Sequence, residues 1–187
     1  MFCLFSIFFF FFLLFLQTPK FHCETDEEQA WLDLHRDALV FADVAEQAHA
    51  DWDALCVPSG VGAVIDLGSS ERLGALVAGF AAAKKPVCVL GFGVLALQKA
   101  SLGGGARWVY EGYNVTGSSN AELARLPYFA KLALLPEEAV LDLGGLFSAS
   151  VPDEVYVVVD RTLISGQNPV STSLAVLNMI WIWNAPK

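Results

Sequence analysis

The stretch CVLGFGVLAL, Cys88 to Leu97, decides how the rest of the chain is read. Its opening residues, with Pro86 and Val87 ahead of them, form a short continuous apolar run, the pattern of a strand buried on both faces. The run ends in Gly91-Phe92-Gly93, and an apolar helix is expected after it. In α/β hydrolytic folds a sharp strand-to-helix bend of this kind carries the catalytic nucleophile at its tip. Here the tip holds no Ser, Cys or Thr. Glycine at such a tip relieves backbone strain, and Phe92 is expected to fill the hollow that a catalytic side chain would otherwise use.

Outward from the bend, strand and helix signals alternate. WDALCVPSG is a second buried strand ending in Pro58-Ser59-Gly60. The segment SSERLGALVAGFAAAKK places Leu73, Leu76, Val77 and Phe80 on one helical stripe, with Ser69 or Ser70 as N-cap and Lys84-Lys85 at the negative end of the helix dipole. RWVYEGYNVTG reads as a more exposed strand after a flexible SLGGGA turn. SSNAELARL starts a helix capped by Ser118 or Ser119, and Pro136 and Gly144 bracket another short helix. EVYVVVD is the clearest strand; a turn at Asp160-Arg161-Thr162 and a short LISG strand follow. The last helix, VSTSLAVLNMIWIWN, is expected to bury Leu174, Leu177, Ile180 and Trp181. Residues 26–48 look helical but irregular, with Trp31, Leu34, Leu39 and Phe41 as inward positions. This alternation predicts βαβ units and a mostly parallel sheet covered on both sides.

Charge and hydropathy are both unevenly spread. Of the 187 residues, the first sixteen, MFCLFSIFFFFFLLFL, hold eight of the fourteen phenylalanines. That run is short for a membrane span, which needs about 20 residues. It lacks the basic start and small-residue cleavage site of a secretory signal. Residues 1–22 are therefore set apart as a Phe-rich leader, either an anchor or a stretch foreign to the domain, and 23–187 as the domain. If the leader directs secretion or tethering, the Asn114-Val115-Thr116 sequon is open to glycosylation at Asn114. The formal charge of −9 resides between Glu24 and Asp53, which contain ten acidic residues and Arg36 as the single basic one. A chain so charged and without a basic patch is a poor direct partner for nucleic acid. Cys3, Cys23, Cys56 and Cys88 form neither a metal-type spacing nor a disulfide framework. Cys56 and Cys88 lie in apolar strands, where a thiol behaves as a small hydrophobe.

Together VPSGVGAVIDL, KPVCVLGFGVLAL, YNVTG and VDRTLISGQNPVSTSLAV resemble the class I glutamine amidotransferase-like superfamily, in its Parkinson-disease-protein-7/PfpI branch. The resemblance runs from about Gln29 to the C-terminus. It implies an α/β, flavodoxin-like three-layer sandwich with a mostly parallel sheet, and it gives no counterpart here for the first β-α-β segment. A truncated or alternatively started form is the resulting expectation, less stable than the whole domain or needing a partner along the uncovered edge.

Active relatives implied by the resemblance use a cysteine at the bend, an acidic residue from the first strand's loop and backbone N–H groups near a Pro-Gly-Gly turn. Residue by residue, the cysteine position falls on Gly91, the next on Phe92, and a histidine of some relatives near Ser118. The turn corresponds to Pro58-Ser59-Gly60, and the acidic segment has no match. Ser59, Gly60, Gly91, Phe92 and Ser118 thus outline a vestigial pocket with no catalytic residue. Cys88 is expected to point into packing; Ser59, Ser118 and Ser148 lack a G-x-S-x-G context and a matched histidine. His22, His35 and His49 precede the bend and are expected to be exposed and non-catalytic.

One member of this branch is a subunit of the FERRY complex, an effector of an endosomal Rab GTPase that links messenger RNA and ribosomes to early endosomes. The resemblance implies a non-catalytic scaffold, likewise a homo-oligomer, with the other FERRY subunits as partners and RNA contact left to them. It implies no cofactor and no metal, and an early-endosomal and cytoplasmic location with indirect membrane association. The alternatives are a thiol-dependent hydrolase or amidase of the same branch, and a secreted or tethered form directed by residues 1–16.

Overall fold

The computed structural model describes residues 49–185 except 103, 104 and 106, together with Asp26, Glu27 and Ala30. The Phe-rich leader, most of the acidic segment, His22, His35, Cys3, Cys23 and the inward positions named for residues 31–48 lie outside the described residues.

A four-stranded sheet organises the molecule. Strands β1 (Leu55–Val57), β2 (Val87–Leu90) and β8 (Leu163–Gly166) run parallel, and β7 (Val157–Asp160) joins the far edge antiparallel to β8, in the order β1-β2-β8-β7. Helix α1 (Glu71–Ala82) makes the crossover from β1 to β2. Its N-cap is Ser70, whose hydroxyl accepts from the Leu73 N–H at 3.2 Å. That bond satisfies one of the four amides a helix start leaves without a partner.

Side-chain alternation along the strands divides the interior in two. Leu55, Val57, Val87 and Val89 face the larger core, which also takes Leu73, Leu76, Val77 and Phe80 of α1, as the helical stripe predicts. Cys88, Leu90 and Ile164 face the other way, toward Ala175 and Met179 of the C-terminal helix α4 (Thr172–Asn184). Helices on both sides of a mostly parallel sheet, as the alternation predicts, make the three-layer, flavodoxin-like α/β arrangement that the family resemblance implies. Two small sheets complete it: the hairpin β3 (Ser101–Leu102) with β4 (Arg107–Trp108), and the parallel pair β5 (Asn114–Val115) with β6 (Leu146–Phe147). Short helices α2 (Asn120–Leu123) and α3 (Pro136–Asp142) start at Ser119 and at Pro136. Among the described residues, no helix is long and apolar enough to cross a membrane.

Several sequence-based expectations need correction. The apolar segment after the bend is a 3-10 helix, Gly91–Leu97, buried along its whole length. RWVYEGYNVTG is two short strands, because a turn with Gly112 at φ 73° interrupts it. Its Trp108 and Tyr110 are buried, not exposed, and the Trp108 indole donates to the Leu97 carbonyl at 2.7 Å. Lys85 does not serve the C-terminus of α1: its ammonium donates to the carbonyls of His49 and Trp52, both at 2.6 Å, and so fastens the incoming chain.

The C-terminal helix departs furthest. It buries Ala175 and Met179, while Leu174, Leu177 and Trp181 stand 42%, 48% and 65% exposed and Ile180 is half-buried. This helix is apolar around its circumference, so the spacing of large residues does not choose a face. The sheet chooses it. Gly166 of β8 leaves room for a close approach by a small side chain, and Ala175 fits there.

Candidate functional site

The carboxyl ends of β1 and β2 bring Ser59 and Gly91 together. The strands pair Cys56 with Cys88 and Val57 with Val89, so the turn after β1 and the bend after β2 leave the sheet side by side. Crevices at the carboxyl ends of parallel strands are where open α/β sheets place their sites.

Gly91 has φ 50°, a left-handed conformation that an L side chain adopts at a cost of about 1–2 kcal/mol. A methyl group there would overlap the Ser59 hydroxyl and lie 3.1 Å from Ser118 Oγ. Gly93 is required for a different reason. A methyl group on it would come within 2.6 Å of the carbonyl oxygens of Val57 and Pro58, so the bend is pressed against the end of β1.

The space above the tip therefore belongs to Ser59, not to Phe92. The Phe92 ring is buried in the larger core. Its backbone N–H donates to Ser59 Oγ at 3.3 Å. In hydrolytic elbows the amide after the nucleophile is an oxyanion donor; here a side chain of the protein already holds it. Ser118 is 6% exposed and completes the cluster. It arrives from β5, which is tied to the main sheet where the Thr116 N–H donates to Ser165 Oγ at 2.9 Å. Gly60 does not face the cluster: a side chain there would meet nothing within 4 Å, and the residue opens the 3-10 turn Val61–Val64.

The other sequence candidates lie elsewhere. Cys88 is fully buried, on the sheet face that packs against α4. Its thiol hydrogen bond to Cys56 and its burial both push its pKa up, so it holds little thiolate. Ser148 pairs with the Tyr156 hydroxyl at 3.2 Å. His49 is half-buried rather than exposed, its ring 6.5 Å from that of Phe80 and against Gly79 of α1. Asn114 is exposed, but its amide donates to Asp160 at 3.1 Å, and Thr116 of the same sequon is fully buried. Among the described residues, no group of three or more His, Cys, Asp or Glu gathers as metal ligands would.

After β8 runs a buried polar network that hydropathy and spacing do not reveal. Gln167 is fully buried, accepting from the Ser150 N–H at 2.7 Å and donating to the Ser150 carbonyl at 3.4 Å. Asn168 donates to Glu122 at 2.8 Å and accepts from the Ser171 hydroxyl at 2.7 Å. These residues fix the loop that leaves β8. Their signal in the sequence is the polar pair Gln167-Asn168 directly after the apolar LISG strand.

The arrangement can hold a loop conformation firmly. Covalent chemistry would need a nucleophile, a proton acceptor and a free oxyanion donor in contact.

No family model matches the chain. Glutamine amidotransferase-like class 1 domain-containing protein 1 of Bos taurus is 45% identical over 138 residues, 74% of this chain and 62% of that protein. The Homo sapiens protein of that name is 44% identical over the same shares, and the Danio rerio protein is 42% identical over 72% of this chain and 62% of its own length. Over its matched part, the chain is similar to these glutamine amidotransferase-like class 1 domain-containing proteins. It spans about 62% of the length of these relatives.

Solved structures agree on the fold. Rapid Encystment Protein of Francisella tularensis superposes with a TM-score of 0.78 at 20% identity, covering 88% of this chain and 74% of that one. Glyoxalase III of Candida albicans gives 0.67 at 16% identity, over 75% and 59%. A ThiJ/PfpI domain protein of Brachyspira murdochii gives 0.55 at 20% identity, over 74% and 64%. At these identities the likeness is one of fold alone.

Proposed function

We propose that this chain is a non-catalytic scaffold subunit of the FERRY complex, working on early endosomes in messenger RNA transport through contacts with the other subunits. The observation that carries the reading is the occupied bend. Gly91 supplies no attacking atom, and Ser59 takes both the space above it and the amide that would stabilise an oxyanion. A site closed in this way leaves binding as the means of action. Similarity to glutamine amidotransferase-like class 1 domain-containing protein 1 is in keeping with the family resemblance from which this assembly is taken, and the net charge of −9 fits a subunit that leaves RNA to its partners.

Affinity purification of this chain from cells, beside a form extended to the full length of its relatives, tests the proposal. FERRY subunits are expected to be recovered, and the tagged chain to lie on early endosomes. Failure of both forms to recover those subunits overturns the assembly. Hydrolase, amidase and glyoxalase assays test the non-catalytic half: turnover that iodoacetamide and Cys88→Ser both abolish would establish the thiol-dependent enzyme instead.

A further inference from the structure

Cys56 and Cys88 were set aside above as two separate thiols in apolar strands. The register makes them one unit. They are direct partners across the parallel β1–β2 pair, so their side chains leave the same face of the sheet. Both are free thiols, Cys88 fully buried and Cys56 half-buried on a strand that lies at the end of the described sheet. We propose that this pair is a redox modification site, in which a peroxide converts the two adjacent thiols into a Cys56–Cys88 disulfide.

Geometry supplies the first argument. Paired strands lie about 4.8 Å apart, inside the roughly 4.4–6.8 Å between Cα atoms that a disulfide spans. Parallel side chains keep the Cβ atoms at nearly the strand spacing, somewhat beyond the roughly 3.5–4.5 Å that a relaxed disulfide takes. The bond therefore closes by pinching the strands, and a strained disulfide is easily reduced again.

Chemistry supplies the second. The Cys88 thiol hydrogen-bonds to Cys56, which pulls the Cys56 pKa down despite its burial and pushes that of Cys88 up. The more exposed sulfur thus carries the thiolate character, and the buried one keeps its proton. Cys56 Sγ attacks a peroxide oxygen, the O–O bond breaks, and the leaving hydroxide takes a proton to become water. Cys88 Sγ then attacks the resulting Cys56 sulfenic sulfur. The S–O bond breaks, and a second water leaves with the Cys88 proton. The two sulfurs lose two electrons in all, and the peroxide gains them. A thiol reductant reverses the reaction.

The position gives the modification a consequence. Ser59 lies three residues beyond Cys56, and Gly91 three beyond Cys88. Drawing β1 toward β2 moves the two residues whose contact closes the bend.

The test uses the whole chain with Cys3→Ser and Cys23→Ser, treated with hydrogen peroxide, alkylated, and mapped by mass spectrometry without reduction. The expected result is parallel loss of both thiols, a linked peptide pair lighter by two hydrogens, recovery of both thiols with dithiothreitol, and altered amide exchange at Phe92. Cys56 driven to sulfinic acid while Cys88 stays alkylatable after unfolding overturns the proposal, as does survival of both thiols. In Cys88→Ala, Cys56 should stop at a sulfenic acid that dimedone traps. Should that variant not fold, phenylarsine oxide on the Cys88-containing chain serves the same end. One equivalent should shield both thiols from maleimide; absence of shielding counts against the pair.

Discussion

Substituting Gly91 by alanine tests the account of the bend most directly. Two costs arise. The left-handed backbone at φ 50° penalises any L side chain by about 1–2 kcal/mol. The new methyl group must also displace Ser59, since it overlaps that hydroxyl. Displacement leaves the Phe92 N–H without its acceptor, which costs about 1–3 kcal/mol for a buried donor. Together Gly91→Ala should lose about 3 kcal/mol. With a urea dependence of about 1–3 kcal/mol/M, the unfolding midpoint falls by about 1–3 M at unchanged slope. Equilibrium unfolding followed by tryptophan fluorescence measures it. The discriminating measurement is the double-mutant cycle with Ser59→Gly, in which nothing remains to displace. There Gly91→Ala should cost only the backbone portion, about 1–2 kcal/mol, leaving a coupling of about 1–2 kcal/mol. Equal costs in the two backgrounds would refute the claim that Ser59 occupies the space above the tip.

Four further outcomes follow from burial and capping. Tyr110 is fully buried with an unpartnered hydroxyl, and burial, reinforced by Tyr113, raises its pKa. A raised folded pKa stabilises at pH below the unfolded value of about 10 and loses that benefit at about 1.4 kcal/mol per pH unit above it. Tyr110→Phe should therefore leave stability at pH 7 unchanged or higher and flatten the alkaline decline, as urea unfolding at the two pH values will report. Ser70→Ala removes the N-cap of α1 and should cost about 1 kcal/mol by the same assay. Met179→Ala, on the buried face of α4, should cost about 2–5 kcal/mol. Trp181→Ser, at a position 65% exposed, should stay within about 0.5 kcal/mol.

What was legible in the sequence was what local pattern determines. β1, α1 and β2 are read correctly because a short apolar run, a helical stripe and a serine cap each act within a few residues. α4 is legible as a helix for the same reason, but the stripe Leu174, Leu177, Ile180 and Trp181 is not the face the sheet covers, since an all-apolar helix lets tertiary contact decide. The polar alternation of RWVYEGYNVTG reads as a more exposed strand and gives no sign that Trp108 and Tyr110 are buried. Their burial comes from the hairpin folding back toward Leu97, a contact no window around them contains. The bend itself was legible, with Gly91 at its tip. What fills it was not: Ser59 lies 32 residues earlier, and only the register of β1 on β2 sets it there. The same register hid the thiol pair, which spacing in the sequence presents as two unrelated cysteines.

That one register also bears on the chemistry open to the bend. A buried backbone amide must find an acceptor, and in a working elbow water or substrate provides it in turn. Ser59 meets the need permanently for Phe92. A cysteine placed at Gly91 would thus find the Phe92 amide engaged and its own side chain against the hydroxyl engaging it. The arrangement also explains why a glycine sits at a φ that would strain any other residue. The strain comes from the close approach of the two strand ends, which Gly93 shows independently where it presses on the carbonyls of Val57 and Pro58. A bend held from both sides in this way is stiff. Any change in the spacing of β1 and β2 therefore has a direct route to the tip of the bend.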